Sequence, residues 1–179
     1  MDISVAGLRW FVAIAGPLVL VSYVVGIARA EDPMALWGGL GSRERAAIVP
    51  FMFVAASGFL AYAYMVLFRM DVAALRFPWS ESGSGHNALF LAYAPYLIPS
   101  MLWLEATILH LSVGAAWTQW LTIGVLTLVS VGIVLLGLIG VAAVQDGVPG
   151  GWVLVLGAVG MGIQSIVNDN IIWVWKFPW

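Results

Sequence analysis

The sequence predicts an all-α integral membrane protein, a bundle of five transmembrane helices joined by short loops. Two observations carry that reading. Hydrophobic residues make up 63% of the 179 and charged residues only 9%, where soluble domains carry roughly a quarter charged. Five apolar runs, at about 10–28, 46–68, 88–111, 120–144 and 152–175, are each long enough to span a bilayer. The segments between them are charged or rich in Gly and Pro, as connections should be. The length fits one transmembrane domain over 1–179 and leaves no room for a separate soluble one.

The first run, Trp10 to Ala28, lies between Arg9 and Arg29 and holds Pro17. Ala28-Arg29-Ala30 matches a signal-cleavage pattern, but Met1 to Arg9 carries no net positive charge and the run exceeds a signal core, which favours a retained span. In the first loop, Asp32-Pro33 starts a short interfacial segment with Leu36 and Trp37, broken by Gly38-Gly39-Leu40-Gly41. Ser42 is the expected cap of the second helix, which can continue as an amphipathic extension to Leu75. Ser80 to Gly85 reads as a short flexible linker. Ser112 to Gln119 is a tight connection, so the third and fourth helices should be antiparallel neighbours. The fourth span is the most uniformly apolar. The fifth opens apolar and turns polar at Gln164-Ser165-Ile166-Val167-Asn168-Asp169-Asn170. Ala158 and Gly162 form a small-xxx-small pair suited to close helix contact.

Arg76-Phe77-Pro78-Trp79 and Lys176-Phe177-Pro178-Trp179 repeat one word, each after a hydrophobic span. Five spans put the two copies, like the two termini, at opposite faces, and Trp79 and Trp179 read as interface anchors. The cation count barely orients the chain. Arg9, Arg69 and Arg76 lie on the N-terminal face, and Arg29, Arg43, Arg45 and Lys176 on the other, tipping the second face toward the cytoplasm. Which membrane holds the chain is left open.

The third span departs furthest from a plain lipid-facing helix. Pro95 and Pro99 each remove an amide donor, so a helix break is expected there, with Ser100, a tyrosine hydroxyl or water near the freed carbonyls of Leu91 and Pro95. Glu105 follows, and a carboxyl at such depth costs at least ~2.5 kcal/mol unless paired, protonated or wetted. Odd-numbered helices run the same way, so Glu105 falls in one layer with Gln164, Asn168, Asp169 and Asn170. At ~1.5 Å per residue both acids lie roughly 8–9 Å from the bilayer centre. Two acids in one layer can share a proton or hold a cation. Regular α-helical phase puts Gln164 and Asn168 on one face, and Ser165, Asp169 and Trp173 on another. His110, five residues from Glu105, reads as a hydrogen-bonded interfacial histidine.

Several chemistries are excluded. Without cysteine there are no disulfides, thiolate metal sites or cysteine nucleophiles. His86 and His110 stand about 36 Å apart along one helix at ~1.5 Å per residue and cannot share a metal or haem. Lys176, the single lysine, lies at a span boundary. The net charge of −2 argues against a nucleic-acid surface, and no metalloprotease, lipase, P-loop or EF-hand motif occurs. No metal site is expected and no cofactor is selected. With five spans and ten tryptophans, the chain resembles the translocator-protein (tryptophan-rich sensory) family in size and composition; none of that family's binding residues transfers onto positions here.

The expected function is a polar intramembrane pocket that binds or passes a small polar, cationic or amphipathic solute, with proton coupling through Glu105 and Asp169, and with Asn168, Asn170 and Gln164 orienting the ligand. The alternative is a structural or accessory subunit of a larger membrane complex, with the amides as helix-helix glue worth ~0.6 to 2 kcal/mol per contact. A third reading is a lipid- or isoprenoid-modifying enzyme using the two acids as a general acid/base pair. The expected partners are the lipid bilayer and a small-molecule or lipid ligand; homo-oligomer and membrane-complex partners stay open.

Overall fold

The computed structural model describes residues 4–81, 83 and 85–179, and all regular structure among them is helical. Five helices are long and apolar enough to cross a membrane: α1 (Val5–Arg29), α2 (Ser42–Arg69), α3 (Gly85–Val113), α4 (Ala116–Gln145) and α5 (Gly151–Lys176). Of the expected flexible linker, Ser82 and Ser84 lie outside the described residues, as do residues 1–3 at the start of the first segment.

The helix ends follow local chemistry. Ser4 caps α1, its hydroxyl accepting from the Gly7 amide at 3.0 Å. At α2 the expected cap moves by one residue: Gly41 is the N-cap, Ser42 is already helical, and the Glu44 carboxylate reaches back to accept from the Gly41 amide at 2.7 Å. Nor does α2 continue to Leu75. It ends in a π-wound turn over Met65–Arg69, and Asp71 then caps a separate 3-10 turn, Val72–Ala74, by accepting from the Ala73 amide. A short acid that bonds its neighbours' amides competes with helix continuation, which the apolar pattern alone does not register. Gly114 closes α3 in the left-handed conformation, with its amide on the His110 carbonyl.

In α3 the winding continues through Pro95 and is interrupted at Met101 and Leu102, just past Pro99. Ser100 donates to the carbonyl of Tyr96 at 2.6 Å, not to Leu91 or Pro95. The interruption splits α3 into Gly85–Ser100 and Trp103–Val113, so residues after it no longer keep the phase of those before.

Helix α4 is central, packed on both halves of α3 and on α5; α2 packs on α5, and α1 packs on α3. Glycines set the closest approaches. Gly58 of α2 and Gly157 of α5 face each other so nearly that a Cβ on either would come within 2.7 or 2.8 Å of the other's carbonyl oxygen. Gly132 of α4 lies against the backbone of Tyr96, and Gly140 against Leu154 and Val155. Ala158 meets Gly137 of α4, so this half of the small-residue pair serves contact inside the bundle. Outside these seams the helices present large apolar side chains, among them Leu18, Phe51, Phe68, Leu128, Val134 and Leu156.

The two copies of the repeated word close opposite ends. Arg76 makes a two-pronged pair with Asp146, Nε to Oδ2 at 2.7 Å and Nη2 to Oδ1 at 2.8 Å. That hydrogen-bonded guanidinium holds the Asp146 carboxyl below its usual range, so the pair is fully charged at neutral pH. At the other end Lys176 pairs with Glu44. In both copies the Phe is buried and its Trp lies against it: Phe77 stacks on Trp79 at 5.0 Å and Phe177 meets Trp179 at 4.6 Å.

Candidate functional site

The polar stretch of α5 is wound as a π-helix over Ile163–Trp173, eleven residues in which backbone bonds run to the fifth residue instead of the fourth. Such winding is rare beyond a single turn, and it changes which side chains meet. Residues five apart, splayed in an α-helix, come together. Gln164 Nε2 donates to Asp169 Oδ1 at 2.8 Å, and Asn168 Nδ2 donates to Gln164 Oε1 at 3.2 Å. The regular phase expected from sequence is therefore corrected: Asp169 joins Gln164 and Asn168. Every donor in this chain points toward the carboxylate, so Asp169 is held as the acceptor at its end.

These three side chains form part of the wall of a cavity of about 660 Å³. Its wall draws on all five helices, α4 through Leu126 and Val129, with the first loop at one end. From α1 come Pro17, Leu20, Tyr23 and Ile27; from α2, Met52, Phe53, Phe59 and Leu60; from α3, Tyr96, Ser100 and Trp103. Tyr23 and Tyr96 share the cavity wall with Asp169. Among the described residues lining the cavity, Asp169 is the one carboxylate and there is no Lys, Arg or His. The remainder of the wall is largely aliphatic and aromatic.

The first loop lies across one end of the cavity. Asp32 accepts from the Met34 amide and starts the expected short turn, Ala35–Trp37. Trp173 Nε1 then donates to the Leu36 carbonyl at 2.9 Å, and the Gly39 amide to the Lys176 carbonyl at 3.1 Å. Gly38 and Gly39 lie so close to Phe177 and to that carbonyl that no Cβ would fit, and Gly38 has φ of +56°. Trp173 also meets Trp103 edge-on at 5.4 Å, and Trp103 meets Tyr23 at 6.1 Å, so one aromatic chain runs from the loop up the wall.

The remaining expected site residues go elsewhere. Glu105 does not line the cavity; it pairs with Arg29 Nη1 at 3.0 Å, with both side chains partly exposed. The interruption at residues 101–102 explains the difference. It resets the phase of the second half of α3, bringing Glu105 to the cation in the last turn of α1. Asn170 Nδ2 donates to Ser130 Oγ of α4 at 3.0 Å, tying two helices together. His110 is buried and hydrogen-bonded, Nδ1 to Thr118 Oγ1 at 2.8 Å, against the rings of Phe177 and Trp179. Its neighbours occupy it structurally.

Sequence reasoning did not single out Tyr23, Phe53, Phe59 or Trp173 as wall residues. Nothing in a hydropathy pattern separates an aromatic facing a cavity from one facing lipid. The signal that existed was Tyr96 and Ser100 flanking Pro95 and Pro99, since side chains beside a helix disruption often border space that regular packing leaves unfilled. Comparison of the chain with protein-family models, characterised proteins and solved structures finds no match to any of the three.

Proposed function

We propose that the chain is a multi-pass membrane protein whose cavity binds a hydrophobic cation, an amphipathic solute with an ammonium head. The observation that carries the proposal is the charge content of the wall: among the described residues, one carboxylate, oriented by Gln164 and Asn168, and no cation. A carboxylate in such a place is disfavoured unless a partner balances it, and breaking or omitting the partner of a buried charge is costly. Among the described residues no cation lines the cavity opposite Asp169, so a ligand cation is the natural counterweight. Aromatic faces around it add ~0.5–2 kcal/mol each for a desolvated ammonium. The volume falls within the roughly 300–1,000 Å³ range of small-molecule sites.

Glu105 is left out of the site because Arg29 already neutralises it. Proton sharing between the two acids and acid/base catalysis by them both require Glu105 beside Asp169, and neither draws support from this geometry. Asn170 acts as interhelical glue through Ser130.

Purified protein in uncharged phosphatidylcholine nanodiscs should bind dodecyltrimethylammonium at least about tenfold more tightly than its tert-butyl isostere of equal shape and no charge, a difference of ~1.4 kcal/mol. Saturation binding with radiolabelled ligands, corrected for partition into empty nanodiscs, measures it. Equal affinities would mean that the cavity recognises apolar bulk and not charge.

A further inference from the structure

We infer that the ligand enters sideways, from the hydrocarbon of the bilayer through a gap between α1 and α2, and keeps its alkyl chain in that gap while its ammonium head reaches Asp169. This rests on the cation-binding reading above and narrows it, from any hydrophobic cation to a membrane-partitioned, long-chain one.

Consecutive helices usually neighbour one another, yet α1 packs on α3 and α2 packs on α5, and the two scarcely touch. Gly16, beside Pro17, meets the tip of the Phe59 ring, where an added Cβ would come within 2.9 Å. Beyond that contact, side chains from both helices line the cavity and are also open to the outside. Leu20 is 64% exposed, Phe53 70% and Leu60 66%, values that a cavity-facing residue reaches only at a mouth. Among the described residues that flank it, none is charged. The route from water is different. The first loop lies across one end of the cavity, tied through Leu36 to Trp173 and Gly39 to Lys176, and its wall residue Met34 is 51% exposed to the outside. A solute in water meets that tied loop first. A solute dissolved in the membrane meets an apolar opening with a single carboxylate inside. Amphiphiles already orient with the chain in hydrocarbon, so partition into the bilayer does much of the concentrating before binding.

The chain lacks cysteine, which makes a clean test available. Leu20→Cys and Phe53→Cys are introduced together at these exposed positions and joined with a reducible bifunctional thiosulfonate. Association of dodecyltrimethylammonium in nanodiscs should slow at least ~10-fold when the link is closed and recover on reduction. Tetramethylammonium, which has the head and no chain, should fail to compete. As a second variant, Leu20→Trp with Phe53→Trp narrows the mouth without chemistry and should slow association in the same direction. If a quantitatively linked protein associates at the wild-type rate, or tetramethylammonium competes as well as the long-chain ligand, lateral entry is overturned while the cavity reading stands. If the unmodified protein does not bind, or Asp169→Asn binds as well as wild type, the cavity reading itself falls and this inference falls with it.

Discussion

Asp169→Asn should weaken binding of dodecyltrimethylammonium by about tenfold or more and leave binding of the uncharged isostere unchanged, because the substitution removes ~1.4 kcal/mol or more of charge complementarity and little else. The amide oxygen of Asn can still accept from Gln164 Nε2, so the local network keeps its geometry. Removing a charge from a poorly hydrated place is neutral or favourable for the fold, and the melting temperature should hold or rise. Two neighbouring substitutions separate site from scaffold. Gln164→Leu deletes the donor that orients the carboxylate and should weaken ammonium binding by less. Asn170→Ala cuts the tie to Ser130 and should lower stability by ~0.6 kcal/mol, with ligand affinity unchanged. Equal loss for the charged and uncharged ligands in Asp169→Asn would show that the variant deforms the cavity.

Among the glycines of the helix–helix seams, the largest effect on the fold is expected at Gly132. A Cβ there would stand 2.5 Å from the Tyr96 amide nitrogen and 2.8 Å from the Ala92 carbonyl oxygen, both backbone atoms that no rotamer change can move. Gly132→Ala must push α3 off α4, at ~1–3 kcal/mol for overpacking, and Gly132→Leu should fail to give a folded protein at all. Gly58→Ala acts in the same way on the α2–α5 seam, where the nearest atom is again a backbone one, the carbonyl oxygen of Gly157. Gly124 is the internal control. Nothing lies within 4 Å of a Cβ added there, so Gly124→Ala should be neutral or slightly stabilising. Thermal unfolding in detergent, with all variants compared under one condition, reads these effects. Tolerance of Gly132→Leu would mean that α3 and α4 do not pack as described.

Five helices were legible because hydropathy over twenty residues reports length and polarity, and little else is needed to place a span. The polar stretch in the second half of α5 stood out for the same reason: Asp169 and its amides are costly in hydrocarbon wherever they point. Their partners were not legible. A side chain's direction depends on the winding beneath it, and no sequence pattern announces that Ile163–Trp173 bonds to the fifth residue rather than the fourth. Glu105 shows the same limit from the other side. Its depth could be counted along the chain, but the interruption at 101–102 sets its azimuth, and azimuth decides between Arg29 and the cavity. The gap between α1 and α2 is harder still, because it is a property of which helices do not touch.

A long-chain ammonium bound with its head at Asp169 would leave a mark on the residues around it. Photolabelling locates it directly. A dodecyl chain with a trimethylammonium head and a diazirine placed next to that head is irradiated with the protein in nanodiscs, and the modified peptides are sequenced by mass spectrometry. The account predicts adducts on the cavity wall, at Asp169 and at Tyr23, Phe59 or Trp173, that disappear under excess unlabelled dodecyltrimethylammonium. Adducts confined to the outer face of α4, at Leu128, Val131 and Val134, and insensitive to that excess, would contradict it.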